Sequence, residues 1–181
     1  MTSTVAAHLF SSLNGVSESP HLFQFDTFGP TEGEFMAKTL AGVTDVVIGR
    51  KLWSEWSQYW PANTDDGFGD FINPVRKHVV SSTLGGDPGW NSVVIDGDPV
   101  AYVEKLRDRA EGGIVVAGGV ETVRSLFLAG AIDTLTLTIH PAVTGTGRRL
   151  FDESVPVTRL DLVDSVVSPA GNAILTYALK P

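Results

Sequence analysis

The sequence predicts an α/β protein with one sheet that is parallel in most of its body and antiparallel at its C-terminal edge. Short apolar runs rich in β-branched residues alternate with helical runs over the first two thirds of the chain, which is typical of parallel strands joined by helices. The last third shows two alternating segments, 160–167 and 172–179, around turn residues, a hairpin pattern. No repeat or boundary interrupts the chain, so we expect a single domain over residues 1–181.

Composition and charge exclude several classes of function. The 181 residues are 43% hydrophobic and 19% charged, ordinary values for a globular protein with a sizeable core. A formal net charge of -8 argues against an extended nucleic-acid surface. The absence of cysteine excludes disulfides, thiolate metal sites and cysteine nucleophiles. The N-terminus lacks a signal-peptide pattern and no apolar run approaches membrane-spanning length, so we expect a cytoplasmic protein without a membrane partner.

The first apolar run, 5–10, is a predicted strand that leads to a turn at Asn14 and Gly15, a dipeptide that favours positive φ. A polar loop follows. Thr31 is then a predicted helix N-cap with Glu34 three residues later, which is the capping-box spacing. Apolar residues follow at helical spacing and give this helix a buried face.

The second predicted strand, 45–48, ends in a glycine followed by two cations, Gly49, Arg50 and Lys51. Glycine lets a ligand approach the backbone, and cations at the carboxyl end of a strand suit a bound anion. A solvated basic turn would show the same residues, so the run is only a candidate anion site.

An aromatic cluster follows directly, with Trp53, Trp56, Tyr59 and Trp60 within eight residues. These rings have two possible roles. They either fill the core or form the walls of a site for a flat heteroaromatic ligand.

The third predicted strand, 77–81, closes with the hydroxyl residues Ser81, Ser82 and Thr83. Hydroxyls at the end of a strand can donate to a phosphate or merely cap the turn. A short fourth strand is predicted at 92–95. Asp98 is the predicted N-cap of the next helix, with proline after it.

The segment 112–127 is a strand, a glycine pair and an amphipathic helix in immediate succession. This arrangement holds phosphate in many proteins because glycine lets the ligand come close and the free N–H groups of the helix point at it. A glycine pair can also serve packing alone, since the run matches neither a Walker loop nor G-x-G-x-x-G. The predicted contact residues are Gly118, Gly119, Val120, Glu121 and Thr122.

The three candidate sites follow successive parallel strands, and ligands of open α/β sheets bind at that edge. Several phosphate-type contacts on one edge suit a dinucleotide better than a mononucleotide. Arg50 together with 81–83 supplies a cation and hydroxyls for a 2′-phosphate, which favours NADPH over NADH.

The chain resembles the dihydrofolate-reductase-like family that includes the reductase domain of the riboflavin-biosynthesis deaminase–reductase. Four stretches carry the resemblance: VVIGRKLW, KHVVSST, VVAGGVETVRSLFLAGAID and LTIHPAVTGTGRRLF. The resemblance spans roughly 5–179 and implies a dihydrofolate-reductase-like three-layer α/β/α fold, a homodimer and NADPH. The implied reaction is hydride transfer to a pyrimidine or pteridine-like substrate, of the 5-amino-6-(5-phosphoribosylamino)uracil reductase type. No deaminase domain precedes the match, so only the reductase half is expected.

The resemblance also implies roles for the candidate residues. Gly49 and Arg50 match the pair that meets cofactor phosphate, Ser81 and Ser82 lie near the adenosine ribose, and 118–122 match the diphosphate turn. The candidate substrate contacts are Asn14, Glu34, Trp53 and Trp56.

Two departures from the family pattern motivate a second hypothesis. Leu52 stands in a threonine position, and Thr134 stands where riboflavin-type members often carry glutamate. A binding or regulatory module that keeps the fold without the pathway reaction is therefore the alternative to a reductase. No catalytic residue is assigned. His140 precedes a proline at a strand end, where a histidine bonded to neighbouring backbone is expected rather than a catalyst.

Overall fold

The computed structural model describes residues 2–65 and 67–181, and within them eight strands form one sheet. The strands are β1 (Val5–Ser12), β2 (Val43–Gly49), β3 (Arg76–Val80), β4 (Ser92–Val94), β5 (Gly113–Gly118), β6 (Thr134–His140), β7 (Leu160–Val167) and β8 (Ala173–Leu179). Their spatial order is β4-β3-β2-β5-β1-β6-β8-β7.

The pairing confirms the predicted sheet. From β4 to β6 every neighbouring pair is parallel, whereas β8 runs antiparallel to β6 and β7 antiparallel to β8. The predicted hairpin is the connection between β7 and β8, where the amide of Ser168 donates to the carbonyl of Asn172 at 2.9 Å. Parallel pairing requires crossover connections, and the helices supply most of them.

Within the described residues, five α-helices cover the two faces of the sheet. They are α1 (Pro30–Leu40), α2 (Arg50–Tyr59), α3 (Gly67–Ile72), α4 (Pro99–Arg109) and α5 (Val120–Leu128), with short 3₁₀ turns at Pro20–Leu22 and Trp60–Ala62. Apolar residues of α4 and α5 pack with β1, β2 and β5 in one core, and those of α2 and α3 pack with β2 and β3 in a second core on the other face. Among the helices in the described ranges, none is both long enough and apolar enough to cross a membrane.

The start of α1 differs from the prediction. The N-cap is Gly29 and the helix begins at Pro30, so the expected capping box of Thr31 and Glu34 is wrong. Proline fixes a helical φ at the first position, which moves the start upstream. The side chain of Glu32 reaches back, and its Oε2 accepts from the Gly29 amide at 2.9 Å.

Lys77 on β3 is fully buried. Its Nζ donates to the carbonyl oxygens of Ile72 at 2.7 Å, Asn73 at 3.2 Å and Val75 at 2.7 Å. It also lies 4.3 Å from the ring centroid of Trp90. The ammonium therefore satisfies the carbonyl at the end of α3 and two carbonyls of the turn that follows.

We predict that Lys77 makes stability depend on pH in the alkaline range. Burial, helped by the charge of Arg76, lowers the pKa of Lys77 from 10.5 to about 8. Between these values the unfolded chain binds the proton that the folded chain has released, so the free energy of unfolding rises with pH, by roughly 3 kcal/mol at most. Urea unfolding at a series of pH values should show this rise for the native chain and not for Lys77→Met. Equal pH dependence in the two proteins would contradict it.

Candidate cofactor groove

A groove of about 920 Å³ lies at the carboxyl edge of the sheet, where β3, β2 and β5 are neighbours. The strand order thus brings the three candidate anion sites together. The groove is lined by all the predicted cofactor contacts except Thr83 and Gly118, namely by Gly49, Arg50, Lys51, Ser81, Ser82, Gly119, Val120, Glu121 and Thr122.

The end of β2 packs backbone to backbone against the turn between β5 and α5. A Cβ at Gly49 would lie 2.6 Å from Oγ1 of Thr122 and 3.1 Å from the amide nitrogen of Gly119. Gly118 has a φ of +137°, and a Cβ there would lie 2.9 Å from Cδ2 of Leu52. Glycine is therefore required at positions 49 and 118 because neighbouring atoms lie too close for a Cβ. Leu52 makes an apolar contact at the position where the family pattern has a threonine hydroxyl.

The N-terminus of α5 opens onto this groove. Gly119 is its N-cap, and the first-turn residues of this nine-residue helix, Val120, Glu121 and Thr122, line the groove. The first amides of a helix have no intrahelical acceptor and carry a partial positive charge. The groove therefore offers hydrogen-bond donors suited to an anionic group.

Ser81 shapes the turn after β3. Its Oγ accepts from the amides of Thr83 at 3.2 Å and Leu84 at 2.9 Å. A hydroxyl that accepts these bonds still has its hydrogen to donate, and Ser81 and Ser82 both line the groove. Thr83 is exposed and lies outside it.

Two cations on the groove rim, Lys51 and Arg148, are paired with carboxylates. Oε1 of Glu18 lies 3.1 Å from Nζ of Lys51 and 3.1 Å from Nε of Arg148, and Nη1 of Arg148 lies 2.6 Å from Oε1 of Glu121. The hydrogen bond from Lys51, with those from Arg148, lowers the pKa of Glu18. This chain of ion pairs joins the loop before α1, the start of α2 and the loop after β6 across the groove.

Arg50 has no ion-pair partner among the residues that the structure describes. It is exposed, and it lines the groove at the first position of α2. Its guanidinium is therefore free to meet a bound anion.

Sequence reasoning missed several groove residues. Arg148 lies on the loop after β6, and Asp96 and Gly97 precede α4. The two arginines that follow Gly145-Thr146-Gly147 indicated a basic turn that includes Arg148. Nothing in the sequence indicates that Arg148 pairs with Glu18. Residues this far apart in the chain come together only through the fold.

The four candidate substrate contacts are not brought together, and none of them lines the groove. Trp53 is 8% exposed in the core under α2, where its Nε1 donates to Oγ of Ser92 at 2.9 Å. Trp56 packs edge-on against Trp60 and Phe68 with centroids 6.3 and 5.4 Å apart. Of the two possible roles for the aromatic cluster, Trp53 and Trp56 have the first, because both pack in the core.

Asn14 and Glu34 occupy different surroundings. The Asn14 side chain joins two loops, because Nδ2 donates to the Thr144 carbonyl at 2.8 Å and Oδ1 accepts from the Thr144 amide at 3.1 Å. Glu34 is exposed on α1. Glu32, two residues earlier on the opposite face of α1, points inward and is 2% exposed.

His140 is fully buried, and its partner corrects the expectation from sequence. Its Nδ1 lies 2.7 Å from the hydroxyl of Thr27, not from neighbouring backbone. Burial lowers its pKa, against the opposing effects of Glu32 and Asn172. The neighbouring His8 bonds the hydroxyl of Thr138 at 2.7 Å.

Burial lowers the pKa of both His8 and His140 and so favours the neutral form of each ring. Burial, together with the charge of His140, lowers the pKa of His8 to about 4. Burial works to raise the pKa of Glu32, but hydrogen bonds from Ser168, Asn172 and Gly29 lower it overall. This polar cluster links α1 to β1, β6 and the turn before β8, and none of its members lines the groove.

Comparison with known proteins identifies the family. The sequence model of the RibD C-terminal domain matches residues 3–174. The chain belongs to this family. The uncharacterized protein YyaP of Bacillus subtilis strain 168 is 25% identical over 139 residues, which are 75% of this chain and 73% of that protein.

Solved structures share the dihydrofolate-reductase-like fold of this RibD C-terminal domain. Dihydrofolate reductase from Enterococcus faecalis complexed with NADP(H) aligns with a TM-score of 0.64 at 18% identity, over 98% of this chain and 97% of that one. The diaminohydroxyphosphoribosylaminopyrimidine deaminase/5-amino-6-(5-phosphoribosylamino)uracil reductase of Thermotoga maritima aligns with a TM-score of 0.65 at 14% identity. That alignment covers 99% of this chain and 57% of the other. At such identities the likeness shows the fold.

Proposed function

We propose that the protein is an NADPH-dependent reductase that delivers hydride to a pyrimidine or pteridine-like substrate, of the 5-amino-6-(5-phosphoribosylamino)uracil reductase type. The groove at the carboxyl edge is the observation that carries the proposal. Its volume of about 920 Å³ lies at the upper end of the roughly 300–1,000 Å³ range of cofactor sites. Membership of the RibD C-terminal domain family supports the reaction class.

The residues present suit the parts of NADPH. A diphosphate could approach the backbone closely at Gly49 and Gly119, and the first turn of α5 offers it free amides. Arg50 with the hydroxyls of Ser81 and Ser82 suits a 2′-phosphate. NADPH supplies the hydride when bound, and the chain supplies orientation and electrostatic stabilisation. A cytoplasmic location belongs to the same proposal.

Binding and turnover test this function separately. Calorimetry with NADPH should give a saturable isotherm, and its absence would contradict the cofactor assignment. The reductase assignment requires a substrate-dependent loss of reduced-nicotinamide absorbance with at least one member of a panel of aminopyrimidines and pterins. If NADPH binds but no member of the panel is reduced, the binding or regulatory module is favoured instead.

We predict that Glu18→Gln strengthens NADPH binding several-fold at low salt. The carboxylate of Glu18 holds Lys51 and Arg148 at the groove rim. Neutralising it frees Lys51 and leaves Arg148 paired with Glu121 alone. Both cations then attract cofactor phosphate more strongly, above all at low ionic strength. Calorimetry at low and high salt measures the effect. Glu153 is an exposed carboxylate outside the groove, so Glu153→Gln should leave the affinity for NADPH unchanged. Weaker NADPH binding by Glu18→Gln would contradict the idea that Glu18 competes with cofactor phosphate for these cations.

The substrate contacts remain predictions. Asn14, Glu34, Trp53 and Trp56 do not converge on the groove in this structure, so each is tested by its effect on KM for a substrate once one is found. Trp53 in particular is expected to act on stability, because its ring is part of the core.

We also propose a homodimer formed through the edge strand β7. Leu162 and Val163 are each 57% exposed and Val167 is 77% exposed. An edge strand with apolar side chains and unpaired backbone groups favours association with a second copy. Light scattering at micromolar concentration should give a dimer mass that falls to a monomer mass in Leu162→Glu. Val157→Glu, at an exposed position before the strand, is the control, and a native monomer would contradict the proposal.

A further inference from the structure

A second cavity, of about 500 Å³, lies on the α4 side of the sheet and away from the groove. Its walls come from β2, β3, β4, α4 and the two residues that follow α4. Asp45 in this cavity and Gly49 in the groove lie on the same strand, roughly 13 Å apart at about 3.3 Å per residue. The two cavities therefore open at different edges of the sheet.

The floor of this cavity is a chain of hydrogen bonds. The Thr44 hydroxyl donates to Oδ2 of Asp45 at 2.7 Å, and Nε2 of His78 lies 2.7 Å from Oδ1 of Asp45. Nδ1 of His78 lies 2.9 Å from the Tyr102 hydroxyl. Because a carboxylate only accepts, Nε2 carries the hydrogen, and a neutral ring then accepts from Tyr102 at Nδ1. Burial lowers the pKa of His78 against the raising effect of Asp45.

Two guanidinium groups line the same cavity. Arg76 donates from Nη1 to Oδ1 of Asn91 at 3.1 Å, and Arg109 lies 5.0 Å from the ring centroid of Tyr102. In ranges 2–65 and 67–181 neither has a carboxylate partner. Both charges act on His78 and lower its pKa. The opposing charge on the rim is the exposed Glu111.

We propose that this cavity is a binding site for a tetrahedral oxyanion, either inorganic phosphate or a phosphomonoester. Arg76 and Arg109 would donate from two different elements, β3 and α4, with the hydroxyl of Tyr102 between them. Such an anion presents oxygens in several directions, whereas a carboxylate presents two in one plane. Asp45 keeps its negative charge, but its two oxygens accept hydrogen bonds from Thr44 and His78, so these two donors stand against the carboxylate.

Binding is coupled to a proton. When His78 takes one proton from solvent at Nδ1, that nitrogen becomes a donor to the Tyr102 oxygen, and the Tyr102 hydrogen is released to donate to the oxyanion. Asp45 then faces an imidazolium instead of a neutral ring. Protonation of His78 should therefore raise the affinity for an oxyanion whose own charge stays constant, as pH falls toward the lowered pKa of His78.

NMR resonances of the His78 ring, assigned by comparison with His78→Gln, report on this site alone even if phosphate also enters the groove. Titration of the full chain with inorganic phosphate should shift them saturably, and glycerol phosphate should do so if the site accepts a phosphomonoester. We expect Arg76→Gln with Arg109→Gln to weaken binding at least tenfold and Glu111→Gln to strengthen it several-fold. Lys105→Gln, an exposed cation on α4 outside the cavity, should match the native chain.

Three results would overturn the proposal. They are an absence of a saturable shift at His78, equal phosphate affinity in the native and double-arginine proteins, and acetate binding as tightly as phosphate. Thermal unfolding of each variant provides the check on folding, and the exposed positions of both arginines make a loss of fold unexpected.

Discussion

Alanine at Gly49 is expected to weaken NADPH binding by at least tenfold and to destabilise the fold. The new Cβ would stand 2.6 Å from Oγ1 of Thr122 and 3.1 Å from the amide nitrogen of Gly119. One of these neighbours is backbone, so the turn between β5 and α5 must move, and forced overpacking costs about 1–3 kcal/mol. The displaced part is the turn that we assign to the diphosphate. Calorimetry with NADPH and urea unfolding measure the two effects.

Gly33→Ala is the matched control. A Cβ at this α1 position meets nothing within 4 Å and the φ is not in the left-handed region. Alanine in a helix interior is favoured over glycine by about 0.5–1 kcal/mol, so this variant should bind NADPH normally and unfold no more easily than the native chain. Native NADPH affinity in Gly49→Ala would contradict the assignment of this turn.

Arg50→Ala is expected to weaken NADPH binding by about tenfold to a hundredfold and to leave NADH binding nearly unchanged. Hydrogen bonds to charged groups are worth about 1.5–3 kcal/mol, and the 2′-phosphate is the group that distinguishes the two cofactors. Arg50 lines the groove without an ion-pair partner among the described residues. Competition binding of both cofactors to the native and variant proteins provides the measurement.

Arg149→Ala controls for net charge, because this exposed arginine does not line the groove. Equal losses for NADPH and NADH in Arg50→Ala would place its guanidinium on the diphosphate instead of the 2′-phosphate. A loss of the same size in Arg149→Ala would show a general effect of charge.

The elements that the sequence predicted well are those defined by neighbouring residues. The hairpin of β7 and β8 followed from alternation around a turn, and the N-cap at Asp98 is confirmed by its bond to the Ala101 amide at 2.8 Å. The strand, glycine pair and helix at 112–127 were also located correctly. In each case the decisive interactions lie within a few residues along the chain.

The errors concern choices between competing neighbours. The predicted N-cap at Thr31 is wrong because the helix starts two residues earlier, at Pro30, where Glu32 reaches back to Gly29. His140 found the hydroxyl of Thr27 instead of backbone. Each outcome depends on which hydrogen-bond partner the tertiary packing brings close. The distance between two such groups cannot be read from their spacing in the sequence.

The sequence by itself determined the parallel sheet, its antiparallel edge and three candidate anion sites at strand ends, because these follow from hydrophobic period and turn chemistry. Only the tertiary structure decided that β3, β2 and β5 are neighbours, which gathers the three sites into one groove. It also decided that Glu18 pairs with Lys51 and Arg148, and that His78 lies between Asp45 and Tyr102. These contacts join residues far apart in the chain, so they exist only once the sheet order and helix packing are set.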